Sequence, residues 1–172
     1  GYGGYNYDGR WRVVAEEMVM HYKLTPDSKI LDLGCGKGFL LYEFVQILPG
    51  VEIVGLDISE YAIDNAKEEI RSNLSVGNIT KLPFQDQFFD LVISINVLHN
   101  LYIFDLWKAV REMERVGKNK YIVVDSYRNE KERINLMYWQ LTCECFYTPE
   151  EYGNGFLANA VITVTTLIFS MN

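Results

Sequence analysis

Three glycines at alternate positions, Gly34, Gly36 and Gly38, follow the short apolar run Lys29 to Leu33 and open a second apolar stretch. Glycine lets a backbone approach a ligand closely, and the first turn of a helix offers N–H groups that have no intrahelical partner. Asp57 stands about 19 residues beyond the last of these glycines, at the end of the next apolar run. In a doubly wound sheet a carboxylate at that distance accepts hydrogen bonds from ribose hydroxyls. Turn and acid together describe a nucleoside site.

The spacing of the glycines narrows the choice of nucleoside. A dinucleotide fingerprint, G-x-G-x-x-G, puts its third glycine at position 39, which is Phe39. A P-loop needs Gly-Lys-Ser/Thr, whereas Lys37 is followed by Gly38 and Phe39. Both phosphate-binding patterns fail, and a nicotinamide dehydrogenase is disfavoured with them. Cys143-x-Cys145 invites a metal reading, but tetrahedral zinc wants four ligands, and only Cys35, His21 and His99 could add nitrogen or sulfur. No metal is expected.

These residues need a scaffold of alternating strands and helices. Trp11, Val14, Ala15, Met18, Val19 and Tyr22 recur at helical spacing, with Asp8 available as cap. Lys29 to Leu33 reads as a strand, Gly38 to Leu48 as a helix, and Val51 to Leu56 as a strand closed by Asp57. Ser59 caps a helix with the face Ala62, Ile63, Ala66 and Ile70, followed by a weak strand at Leu74 to Val76. Phe89 to Ile95 is a strong strand, nearly all apolar as expected when both faces are covered. A helix through Leu106, Trp107, Val110 and Met113 leads to a strand at Tyr121 to Val124. The pattern predicts an α/β, doubly wound, mostly parallel sheet with helices on both faces.

After Asp125, Asn129 with Glu132 resembles a capping box, and Ile134, Met137, Tyr138, Leu141 and Cys145 continue as a helical stripe. Thr148-Pro149-Glu150-Glu151 starts a last helix that meets Gly153 and Gly155, and Val161 to Phe169 reads as a final strand. The chain is expected to be one domain over 1–172, comprising an N-terminal lid and helix (1–28), a binding core (29–125) and substrate-side helices with an edge strand (126–172).

The 172 residues carry a net charge of −7, with a hydrophobic fraction of 49%. Scattered basic residues and a negative total argue against docking on a phosphate backbone, so no nucleic acid partner is expected. No apolar run reaches the roughly 18 residues of a membrane span, and no charged-then-apolar leader precedes the first helix. With three cysteines, an odd number, the expected setting is reducing and cytoplasmic.

As a set, Leu31 to Leu40 (LDLGCGKGFL), Gly55-Leu56-Asp57-Ile58-Ser59, Gly77-Asn78-Ile79 before Leu82-Pro83-Phe84, Phe88 to Val92, and Asn96-Val97-Leu98-His99 resemble the class I S-adenosylmethionine-dependent methyltransferases. These segments run through about Lys29 to Asp125. The resemblance implies a Rossmann-like methyltransferase fold and S-adenosylmethionine as cofactor, with S-adenosylhomocysteine as product. It places Gly34 and Gly36 at the methionine part, Asp57 on the ribose hydroxyls and Ile58 on the adenine. Asn78 stands where the family usually has an acid facing the adenine amino group, and an Asn oxygen can still accept there. Asn96 would lie beside the sulfonium, and Cys35 and Ile79 complete the expected cofactor set.

A sulfonium methyl is already activated, so alignment of donor and acceptor is the main task. A hydroxyl or cationic amine acceptor must also lose a proton, which calls for a base. His99, three residues past Asn96, is the candidate, with Asp125 next. The Tyr2, Tyr5 and Tyr7 segment reads equally as a lid over the mouth or as an irregular terminus. The expected acceptor is a small molecule, a metabolite or a sugar; the alternative is a module that binds the cofactor without transferring its methyl. The family's C-terminal hairpin has room here for one strand or a cramped pair, and an unpaired edge there would suit a homodimer.

Overall fold

The apolar runs become the strands of a single sheet. The computed structural model describes residues 6–139, 143–152 and 161–165. Its strands are β1 (Lys29–Leu33), β2 (Glu52–Asp57), β3 (Leu74–Val76), β4 (Phe89–Ile95), β5 (Gly117–Asp125) and β6 (Val161–Thr165), in the order β3-β2-β1-β4-β5-β6. Every pairing is parallel. Asp32 sits opposite Gly55 on one side and Ile93 on the other, Ile95 opposite Val123, and Asp125 opposite Thr165. Chain order reverses between β1 and β4, so a crevice opens outside their carboxyl ends, where ligands of such sheets bind.

Alternation along the strands divides the core into two layers. Ile30, Ile53, Leu91 and Ile93 meet α1 (Trp11–Tyr22), α2 (Phe39–Ile47) and the short α3 (Glu60–Asp64) and α4 (Glu68–Arg71) on one face. Leu31, Leu33, Val92, Ile122 and Val124 meet α5 (Ile103–Val116) on the other. Helix α5 buries Leu106, Ala109, Val110, Met113 and Val116, the i, i+3, i+4, i+7, i+10 set of one face. Burying Leu106 and Met113 contributes about 1.5–3 kcal/mol each. Trp107, placed on the core face by the sequence, is instead 42% exposed.

Four expectations are corrected. Asp8 does not cap α1: Arg10 is the N-cap, and Asp8 accepts instead from the Arg10 amide and guanidinium. The helix begun by Ser59 breaks in two. Ser59 Oγ does accept from the Ala62 amide, but Asn65 turns its side chain back onto the Tyr61 carbonyl and Lys67 is extended. An Asn that bonds the local backbone competes with helix propagation. In α6 (Glu130–Trp139) the stripe Ile134, Met137 and Tyr138 faces outward and Leu136 is buried instead, while Leu141 lies outside the described residues. Asn129 accepts from the Glu132 amide as expected, but the Glu132 carboxylate binds Arg128 rather than closing the box.

At the C-terminal end, the Thr148 box is complete, with Thr148 and Glu151 each accepting from the other's amide, at the start of α7 (Pro149–Glu151). Gly153 and Gly155 lie outside the described residues. The final strand, described over Val161–Thr165, pairs directly and in parallel with β5. A parallel neighbour needs a crossover of a dozen residues or more, and the long connection after Asp125 supplies it. Among the described residues no helix is long and apolar enough to cross a membrane.

Candidate active site

The glycine turn is tied to the end of β2. The amides of Gly34 and Cys35 both donate to the Leu56 carbonyl, at 2.7 and 3.1 Å. Gly34 has φ +83°, and a Cβ there would drive into the side chain of Val97. Gly36 has φ +54° with nothing within 4 Å of where its Cβ would stand. One glycine is thus required by packing, and the other faces open space. The Gly36 amide donates to Oδ2 of Asp57 at 2.7 Å, and the Ser59 amide to Oδ1 at 2.8 Å. Each carboxylate oxygen can accept twice, so Asp57 keeps capacity for further hydroxyl donors.

The remaining expected residues surround this pair unevenly. Ile58 is 88% exposed beside Asp57. Cys35 is half-buried, its Sγ 3.7 Å from the Gly36 carbonyl, and burial pushes its thiol pKa up, helped by Asp32 and Asp57. Asn78 is exposed and accepts from the Thr80 amide at 2.9 Å, closing a local turn. Ile79 has its side chain in the α5-side core. Asn96 directly follows β4 in the left-handed region, φ +57°, which Asn tolerates better than most residues. Its Oδ1 is buried without a hydrogen-bond partner, as is Oγ of Ser94 two residues earlier.

One group of this region is absent from the sequence reading. Asp32 is buried in β1, two residues before Gly34, and its pKa is raised to about 7, first by burial and then by the charge of Asp57. The signal was there: a carboxylate inside the otherwise apolar run Ile30 to Leu33 is rarely buried without a role.

The second half of the site lies at the ends of β4 and β5. His99 occupies a 3-10 turn, Leu98–Asn100, and Asp125 closes β5. Burial lowers the His99 pKa, and Asp125 opposes the shift. The thiols of Cys143 and Cys145 point to backbone carbonyls, at 3.1 Å from that of His99 and 3.3 Å from that of Leu101. Burial pushes them up to about 12 and about 11, which leaves them protonated near neutral pH. Among the described residues no group of three or more His, Cys, Asp or Glu side chains is placed to hold a metal.

Of the tyrosine-rich opening, Tyr2 and Tyr5 lie outside the described residues. Tyr7 docks on α2: its hydroxyl donates to the buried Glu43 at 2.6 Å, and its ring meets Phe39 and Tyr42 edge-on. The Lys67 ammonium lies between two rings, 3.8 Å from the centroid of Tyr7 and 4.2 Å from that of Tyr42.

With this geometry in place, the methyltransferase domain family matches the chain over residues 24–159. The chain belongs to the class I S-adenosylmethionine-dependent methyltransferase family. Two curated methyltransferases share 34% identity with it. One is an uncharacterised methyltransferase of Schizosaccharomyces pombe, matched over 113 residues, 59% of this chain and 39% of the relative. The other is the malonyl-[acyl-carrier protein] O-methyltransferase of Legionella pneumophila, matched over 104 residues, 58% of this chain and 36% of the relative. The chain therefore spans little more than a third of the length of either. The solved structure of YcgJ from Bacillus subtilis superposes with a TM-score of 0.67 over 84% of this chain and 66% of its own, at 23% identity, a likeness of fold.

The cofactor of this methyltransferase family is an adenosyl sulfonium, and the residues present suit one. Its ribose hydroxyls need acceptors, which Asp57 can supply. Close passage over the turn needs a position without a side chain, which Gly36 supplies. Its amino-acid portion needs polar groups, and the partnerless atoms of Ser94 and Asn96 are of that kind.

Proposed function

We propose that this domain binds S-adenosylmethionine across the ends of β1, β2 and β4 and transfers its methyl group to a small molecule. The observation that carries the reading is the Gly36–Asp57 contact, with its spare acceptor capacity next to open space. Gly34, Cys35 and Gly36 would line the turn, Asp57 would hold the ribose, and Ile58 and Asn78 would border the base, with Ile79 contributing its backbone there while its side chain stays in the core. Asn96 would face the methionine portion. When bound, the cofactor supplies a methyl group on positively charged sulfur, already primed for attack by a nucleophile.

The chain's own residues then have two tasks. The strand ends hold donor and acceptor in line, where positioning alone can supply several kcal/mol. His99, uncharged when buried, takes the proton from an acceptor that must lose one. A small metabolite or sugar suits a domain of net charge −7 better than a phosphate-rich partner. The outer edge of β6 has no partner strand among the described residues, which favours pairing with a second copy. Light scattering on the purified chain tests that point.

Calorimetric titration with S-adenosylhomocysteine, with NAD in parallel, tests the central reading. Micromolar binding of the first and none of the second is expected. Silence from both would reduce the glycine turn to a fold element and remove the enzyme reading.

A further inference from the structure

His99 and Asp125 come from neighbouring strand ends, 26 positions apart in sequence, and meet inside the protein. Nδ1 of His99 lies 3.7 Å from Oδ2 of Asp125, and each side chain is 2% exposed. That ring nitrogen has no hydrogen-bond partner, although it is fully buried. Catalytic hydrogen bonds are often long before a ligand is bound.

The surroundings hold both partners in place. The His99 carbonyl accepts from the amides of Glu144 and Cys145, at 2.9 and 3.2 Å, and from the Cys143 thiol at 3.1 Å. Ser126, next to Asp125, donates through Oγ to the Tyr147 carbonyl at 2.6 Å. Residues 143–147 therefore bridge the two strand ends. Cys143, Cys145 and Tyr152 also lie around the pair, and burial raises all three, so they stay protonated near neutral pH, while the Glu144 carboxylate adds to the upward shift of both thiols. Asp125 is the group whose charge acts on the imidazole, opposing the effect of burial.

A neutral imidazole carries one N–H and one lone pair, and an ionised carboxylate can only accept. We propose that Asp125 is a positioning residue, holding His99 in the Nδ1–H tautomer so that the Nε2 lone pair is kept for the acceptor's proton. This rests on the reading of His99 as the base. In the proton step the acceptor's O–H bond breaks and an Nε2–H bond forms, leaving the electron pair on the acceptor oxygen. The resulting imidazolium keeps its Nδ1–H against Asp125, whose negative charge balances it.

The tautomer can be read on the ligand-free full chain by long-range proton–nitrogen NMR of 15N-histidine-labelled protein. Only two histidines contribute, and exposed His21 serves as internal reference. We expect His99 in the Nδ1–H form near pH 8. In Asp125→Asn that preference should be lost, and the His99 midpoint should fall by about one pH unit, the size of effect of removing an opposite charge at this range. Asp125→Glu, which keeps the carboxylate, should retain the wild-type tautomer. A wild-type Nε2–H tautomer overturns the proposal without any variant, as does an unchanged tautomer and midpoint in a folded Asp125→Asn. Failure of S-adenosylhomocysteine to bind would sink the functional reading instead, and would leave the tautomer result standing, so the two failures are distinguishable.

Discussion

The Gly36 amide and the Asp57 carboxylate meet at 2.7 Å, joining the turn after β1 to the end of β2. Asp57 therefore does two things at once: it shapes the turn and, on the proposed reading, receives the ribose. Asp57→Ala should weaken S-adenosylhomocysteine binding at least about tenfold, the loss expected for hydrogen bonds to a charged acceptor. Calorimetry reads this directly, and an affinity within twofold of wild type would remove the ribose assignment.

Gly34 and Gly36 separate packing from binding. Both are left-handed, which costs a residue with a Cβ roughly 1–2 kcal/mol. Gly34→Ala adds a collision with Val97 and should lower the melting temperature steeply. Gly36→Ala places its methyl in open space, so it should cost little beyond the backbone strain while losing most cofactor affinity. Melting curves and titrations on the two variants should rank them in opposite ways. The same ranking by both measurements would mean that the space over Gly36 is not the binding site.

Asp32 should make stability depend on pH. Its folded pKa, about 7, lies above that of an unfolded carboxylate, so folding disfavours its charged form. The penalty is absent below about pH 4, grows as pH rises through the interval, and is complete above pH 7. Asp32→Asn removes it. Denaturant unfolding should find the variant gaining on wild type as pH is raised from 4 to 8, and a constant difference across that range would contradict the assignment.

Tyr7 fastens the N-terminal segment to α2 through Glu43 and Lys67. Tyr7→Phe keeps the ring contacts and loses the bond to a buried carboxylate, which should cost about 1–2 kcal/mol in urea unfolding. Lys67→Met keeps most of the packing and loses the cation between the two rings, for about 0.5–1 kcal/mol. Because Tyr7 and Lys67 touch, the double variant should lose less or more than the simple sum. Additive losses would show that the two contacts act separately.

The frame of the candidate site, its glycine turn and the acid that closes the next strand, was readable because those residues are chemically singular. Alternate glycines after a strand have few uses, and an acid closing the next strand is conspicuous. Helix α5 was readable from period alone, since one face is all apolar. What stayed hidden depends on partners distant in sequence. Lys67 leaves the helical path in the structure while its ammonium sits between Tyr7 and Tyr42, a meeting no local window contains. The outward stripe of α6 has the right spacing for a core face, but spacing does not say which side the sheet is on. The parallel seat of β6 beside β5 is a choice between two directions that composition does not encode. His99 was visible as a strand-end histidine, while its pairing with Asp125 follows only from strand order.

The buried, partnerless oxygens of Ser94 and Asn96 have a bearing on how long the protein lasts. Leaving such a group unsatisfied costs about 1–3 kcal/mol, against a typical total stability of about 5–15 kcal/mol. A ligand that satisfies them acts as part of the fold, and at a hundred times its dissociation constant it adds about 2.7 kcal/mol by mass action. If the proposed cofactor is that ligand, proteolytic survival of this domain would follow its supply as well as the folding of the chain.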